Sequence, residues 1–264
     1  MSNPQLPEEK GRPKFSIDAN DITGEQPLVE HLVELRTRLL RAVLGVLICA
    51  GALLPFANKL YGWLALPVLQ MLPAGGQMIA TDPISPFLTP LKLALVLGLV
   101  IAMPWVLFQI WGFVAPGLYR HERKLAVPIL VSATALFYVG CAFAYFLVLP
   151  AVFKFTTAVA PEGVAVMTDI SKYLDFTLVI FLAFGLTFEV PVAVLILVVL
   201  GWVTVEQLRE ARSYVIVGAF AISAVMTPPD AISMLMMGIP MCLLYEVGIL
   251  VSAAYRKSAP VPVA

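Results

Sequence analysis

The chain has 264 residues; 60% are hydrophobic, 13% are charged, and 17 basic residues balance 17 acidic ones. That charge content is about half the ~25% of soluble domains, and a mean hydropathy of +0.92 excludes an ordinary water-soluble globular protein. Cys49, Cys141 and Cys242 lie singly in apolar runs without CxxC spacing, which argues against a disulfide framework or a cysteine metal site and for small packing residues in lipid.

Residues 1–26 are polar and rich in proline and charge. They lack the basic, apolar, small-residue succession of a signal peptide and read as a disordered tail. Next, Leu28, Leu32, Leu35 and Leu39 recur on one helical stripe. Glu34 stands four residues before Arg38, a spacing worth a few tenths of a kcal/mol in a helix. The plainest reading is a surface helix lying along the membrane.

A membrane span needs roughly 20 apolar residues. Six runs are predicted as spans: about Leu39 to Ala57, Leu91 to Ala115 with a kink at Pro104, Leu125 to Phe153, Leu174 to Val203, Tyr214 to Met226, and Ile232 to Ala254 with Pro240 inside. The fifth is short; thirteen or so residues rise only about 20 Å against a hydrocarbon core near 30 Å. Between the first two spans, Pro67, Pro73, Pro83 and Pro86 stiffen a connection predicted to cap the outer helix ends. Thr227-Pro228-Pro229-Asp230 forms a turn that makes the last two runs a hairpin.

Basic residues favour alternate connections: Arg36, Arg38 and Arg41 before the first span, Arg120, Arg123 and Lys124 after the second, Arg209 and Arg212 after the fourth, Arg256 and Lys257 at the end. The positive-inside rule then places both termini in the cytoplasm, giving six spans over residues 27–256 and a short cytoplasmic tail over 257–264.

This orientation puts Glu34 and Glu122 on one side. Glu122 lies in the stretch from Trp111 to Arg123, with Trp111, Phe113 and Tyr119 suited to the interface. Taken alone, Glu122 reads as a cap on the third span. Taken together, two carboxylates beside apolar helix surface suit a ligand bearing guanidinium groups followed by an apolar helix. Glu189, deep in the fourth run, costs roughly 2.5–3.5 kcal/mol on insertion scales. It reads as a protonated carboxyl bonded to a neighbouring helix, a polar contact for a partner helix, or a proton-linked switch. Lys92 and Asp175 read as interfacial, snorkelling residues.

Gly112 and Gly117 have P-loop separation, but Leu118-Tyr119 stand where Lys-Ser/Thr is needed, and neither HExxH nor GxSxG occurs. Enzymatic activity, a cofactor and a nucleic-acid partner are therefore not expected. A proton-coupled small-molecule transporter using Glu189 is a rival reading, but no paired halves support it.

Several motifs then converge. Pro27-Leu28-Val29-Glu30-His31-Leu32-Val33-Glu34-Leu35-Arg36, the Phe113 to Arg123 stretch, Phe188-Glu189-Val190-Pro191, Thr227-Pro228-Pro229-Asp230 and Met78-Ile79-Ala80-Thr81-Asp82-Pro83-Ile84-Ser85-Pro86 occur in order from Pro27 to Ser252. Together they resemble the TatC family, the multi-span receptor subunit of the twin-arginine protein translocase. The resemblance implies an all-α membrane fold of six tilted helices with both termini cytoplasmic, curved into a concave, glove-like wall. It implies binding of twin-arginine signal peptides on folded cargo by Glu34 and Glu122, with Arg36, Phe113 and Arg123 beside them. Glu189 matches an intramembrane acid facing the concavity. Pro67, Pro86, Pro228 and Asp230 match outer positions shaping the cap and hairpin. Implied partners are TatA- and TatB-type single-span proteins and further copies of the receptor. The implied setting is the bacterial cytoplasmic membrane, driven by the proton-motive force.

Overall fold

The computed structural model describes residues 26–69, 78–114, 126–159, 168–226 and 231–258. α1 (Gln26–Leu53) passes through one 3-10 turn, Leu54–Phe56, into α2 (Ala57–Leu69). α3 is Ser85–Val114. α4 (Ala126–Phe143) continues through a π turn, Ala144–Val148, into α5 (Leu149–Val159). α6 (Ile170–Phe188) breaks at Glu189 and resumes as α7 (Val190–Val199). A short α8 (Val205–Glu210) precedes α9 (Arg212–Met226) and α10 (Ala231–Ser258).

Among the described residues, five stretches are long and apolar enough to cross a membrane: Leu32–Leu66, Ser85–Phe113, Val127–Val159, Ile170–Val199 and Met234–Lys257. Arg212–Met226 is a shorter apolar helix, as the sequence predicts. The first boundary needs correction. Asn58 and Lys59 do not open a loop, because the chain makes only a 3-10 turn at Pro55 and stays helical to Leu69, burying Leu64 and Ala65. Pro67 therefore belongs to α2, not to the connection. Pro86 likewise lies in the first turn of α3, where a missing N–H loses no helical bond.

Small residues set the helix spacing, as close packing in lipid requires. A Cβ on Gly98 would lie 2.7 Å from the Ala50 backbone, and one on Gly140 would lie 2.6 Å from the Phe184 carbonyl oxygen. These contacts join α1 to α3 and α4 to α6 nearly backbone to backbone. Proline has its own compensation. Pro104 cannot donate to the Val100 carbonyl one turn back. The Tyr138 hydroxyl, on α4, donates to that oxygen instead at 3.1 Å. The partner helix thus supplies the missing hydrogen.

Among the described residues, three apolar clusters fill the interior. The first centres on Leu93, Leu149, Tyr173, Leu174, Ile180 and Phe184. A second joins Leu107, Trp111, Ile129, Phe137, Val192 and Val199. A third packs Val194, Val205 and Leu208 against Tyr245 and Ile249 of α10. Buried tyrosine hydroxyls find backbone oxygens: Tyr173 donates to Leu64 at 2.6 Å and Tyr245 to Leu208 at 2.8 Å, as burial of a polar group demands.

At the N-terminal ends of α3 and α6, two connections are pinned together. Ile79 pairs with Asp169 in an isolated bridge; its N–H donates to Thr168 at 3.0 Å, and Ile170 donates back at 2.9 Å. Asp169 caps α6 by accepting from the Ser171 and Lys172 amides. Its other oxygen accepts from the Thr81 amide at 2.9 Å and the Thr81 hydroxyl at 2.7 Å. The Thr81 hydroxyl first, then the surrounding amides, hold the Asp169 carboxyl well below the usual carboxylate range.

Candidate functional site

The site starts with the sequence of α1. Four-residue spacing puts Glu34 and Arg38 on one helix face, and the Glu34 carboxylate accepts from Arg38 Nε at 2.8 Å and Nη2 at 2.7 Å. The surface-pair reading thus holds, with both side chains part-exposed. Arg38 cannot move freely inward, because its guanidinium lies directly on Gly112 near the end of α3. Any Cβ there would collide with Nη1. Gly112 is thus the slot that lets an arginine lie between α1 and α3.

The same end of the fold receives the next segment. Tyr138 meeting Val100 sets α4 antiparallel to α3, and Trp111 shares a cluster with Ile129. The ends of α3 and α4 that flank segment 115–125 therefore lie together at the level of Gly112. Glu122 and Arg123 belong to that segment and lie outside the described residues, as do Pro228 and Asp230. Phe113 is half-buried on the last turn of α3 beside Gly112. Arg36 is exposed and, two residues from Glu34, points about 200° around the helix. The structure does not bring those two side chains together.

Glu189 ends α6 and starts α7, with φ −76° and ψ −16°. Pro191 has no N–H to continue the ladder, which explains why the break falls here. Glu189 Oε1 is buried, with no hydrogen-bond partner among the described residues. An unsatisfied carboxyl oxygen inside a membrane span is a strained arrangement that a donor from outside the chain would relieve.

The reading of Lys92 and Asp175 as separate snorkelling residues needs correction. They pair across α3 and α6, with Nζ 3.0 Å from Oδ1. Each residue sits one to two turns from the N-terminal end of its helix, and those two ends are joined by the Thr81–Asp169 contact, so their depths match. The sequence also carried no reading of the Thr81–Asp169 clamp or of the Arg212–Glu246 pair, 2.7 Å, between α9 and α10. Opposite charges at matching helix depths were the available signal for both ion pairs. The clamp left only the Asp169 cap pattern before a helix.

The TatC family model, described as Sec-independent protein translocase protein, matches residues 30–240. The chain is 50% identical to the Sec-independent protein translocase protein TatC of Haemophilus influenzae, over 90% of this chain and 93% of that one. It is 49% identical to the TatC of Escherichia coli K12 over 89% of this chain and 91% of that one. Among solved structures, the crystal structure of the twin arginine translocase receptor TatC superposes with a TM-score of 0.77 at 36% identity, covering 86% of this chain and 99% of that chain. Those matches, the long apolar helices and the order of the motifs together show that the chain is a multi-pass membrane protein of the TatC family.

Proposed function

We propose that this chain is the receptor component of a twin-arginine translocase, serving in transport and not in catalysis. It binds signal peptides carrying paired arginines, and with TatA- and TatB-type partners it exports folded proteins across the bacterial cytoplasmic membrane. The chain crosses that membrane six times, α9 being the short crossing, with both termini inside. Family membership supports the reading, and the observation that carries it here is the Glu34 carboxylate, already holding one guanidinium beside the last turn of α3.

That resident pair suggests how the receptor works. A part-exposed i,i+4 pair contributes only about 0.3–0.5 kcal/mol, so Arg38 yields to an incoming arginine at little cost. Glu34 and Glu122 then supply selectivity, while the apolar part of the peptide supplies much of the affinity along the helix wall. Phe113 and Arg123 flank the docked pair. Glu189, with its unpartnered oxygen, takes a polar group of a partner helix within the bilayer. The fifteen residues of α9 rise about 22 Å, short enough to thin the bilayer locally during passage.

The test is binding of a labelled signal peptide to the full chain in detergent. Glu34→Gln and Glu122→Gln should each weaken a twin-arginine peptide, high salt should do the same, and a twin-lysine peptide should bind less well. Unchanged affinity in both variants would remove the site.

A further inference from the structure

One turn along α1 from Arg38, α1 and α3 border an open groove of about 400 Å³. Leu44, Gly45, Ile48, Ile101, Ala102 and Trp105 line it. The Trp105 ring lies on Gly45, where a Cβ would be 2.5 Å from Cδ1. Its Nε1–H donates to the Arg41 carbonyl at 3.0 Å. The indole is thereby fixed as a rigid wall, with Phe108 stacked behind it at 5.9 Å.

Arg41 stands at the mouth of this groove and is the last charge on α1. Its side chain is exposed and has no ion-pair partner among the described residues, unlike Arg38 one turn earlier. From Arg41 the apolar face continues to Ile48, about 10 Å along the helix axis. A cation without an ion-pair partner among the described residues, at the head of an apolar groove, matches a ligand with one anionic head and an alkyl chain.

We infer that the α1–α3 groove is a binding site for one anionic phospholipid, its phosphate on Arg41 and an acyl chain along Leu44, Ile48 and Ile101. Charge complementarity decides the lipid class: one arginine near an anionic headgroup gives about a fivefold preference over a zwitterionic one. A bound lipid would also brace α1 against α3, next to the slot where Arg38 lies on Gly112.

The test uses the full chain in nanodiscs, whose two leaflets are identical, so the outcome does not depend on which way the protein faces. Phospholipids with brominated chains quench indole fluorescence on contact, and subtracting the Trp105→Phe signal isolates Trp105. Brominated phosphatidylglycerol should quench Trp105 at about one-fifth the mole fraction needed for brominated phosphatidylcholine. Arg41→Gln should abolish that preference and Arg41→Lys should retain it. Equal quenching by the two lipids in the unmodified chain, or a preference that survives Arg41→Gln, would overturn the assignment. Absence of quenching by either lipid would mean that another copy of the protein covers the groove. Loss of the preference on adding a twin-arginine peptide would give the groove to the peptide. Either result rejects the lipid site.

Discussion

Tyr138→Phe isolates one hydrogen atom. In the intact protein the hydroxyl donates to the Val100 oxygen at 3.1 Å, a carbonyl that Pro104 leaves without its helical partner. Removing it leaves that oxygen facing hydrocarbon. Interhelical hydrogen bonds in membranes average about 0.6 kcal/mol, and an orphaned acceptor raises the loss toward 1–3 kcal/mol. A destabilisation of about 1.5 kcal/mol is therefore expected. The assay is unfolding of the purified chain by sodium dodecyl sulfate in mixed micelles, followed by circular dichroism. The same substitution is then made in a Pro104→Ala background, where the restored N–H serves Val100. There the Tyr138→Phe loss should fall to about 0.5 kcal/mol or less, a coupling near 1 kcal/mol. Equal losses in the two backgrounds would refute the compensation argument, because the hydroxyl would then be acting elsewhere.

Gly98→Val should separate α1 from α3 and destabilise by about 1–3 kcal/mol in the same assay, since its Cβ meets the Ala50 backbone at 2.7 Å; Gly51→Ala, with nothing within 4 Å, should be nearly neutral or slightly stabilising. Arg38→Gln should free the Glu34 carboxylate and tighten a twin-arginine peptide by about twofold, the equivalent of the few tenths of a kcal/mol in the resident pair; fluorescence anisotropy of the labelled peptide reads this directly. Lys92→Met should destabilise more than the double variant Lys92→Met/Asp175→Leu, because the single change strands a carboxylate in the span; the reverse order would show that the pair is idle. The Asp169 clamp carries a definite pH sign. Its folded carboxyl titrates below the unfolded value near 3.9, so its contribution is fully present above that value and is lost only as pH falls through the folded value. Hydrogen exchange at the Ile79 and Ile170 amides, corrected for intrinsic rate, should therefore show unchanged protection from pH 7 to pH 5 and reduced protection in Asp169→Ala.

Much of the architecture was readable because lipid imposes a simple rule: each span must satisfy its own backbone, so apolar run length reports helix number. The short α9 and the break beside Pro191 followed from length or a missing N–H. Reading failed where polarity was mistaken for chain reversal. Asn58 and Lys59 mimic a loop, yet the helix absorbs them because its buried side, Leu64 and Ala65, has a core to join.

The candidate site divides the same way. Helical spacing alone pairs Glu34 with Arg38, since both belong to one helix face. Nothing local could show that Gly112 receives that arginine, that Lys92 meets Asp175, or that Thr81 clasps Asp169, because those partners lie far apart in the chain. Composition and periodicity determined that this chain lives in a membrane as a set of helices. Helix-on-helix packing decided which polar atoms are shared and which, like Glu189 Oε1, have no partner among the described residues. Short-range order depends on the residue and its neighbours in sequence, whereas a hydrogen bond between helices depends on depth and rotation that only the folded assembly fixes.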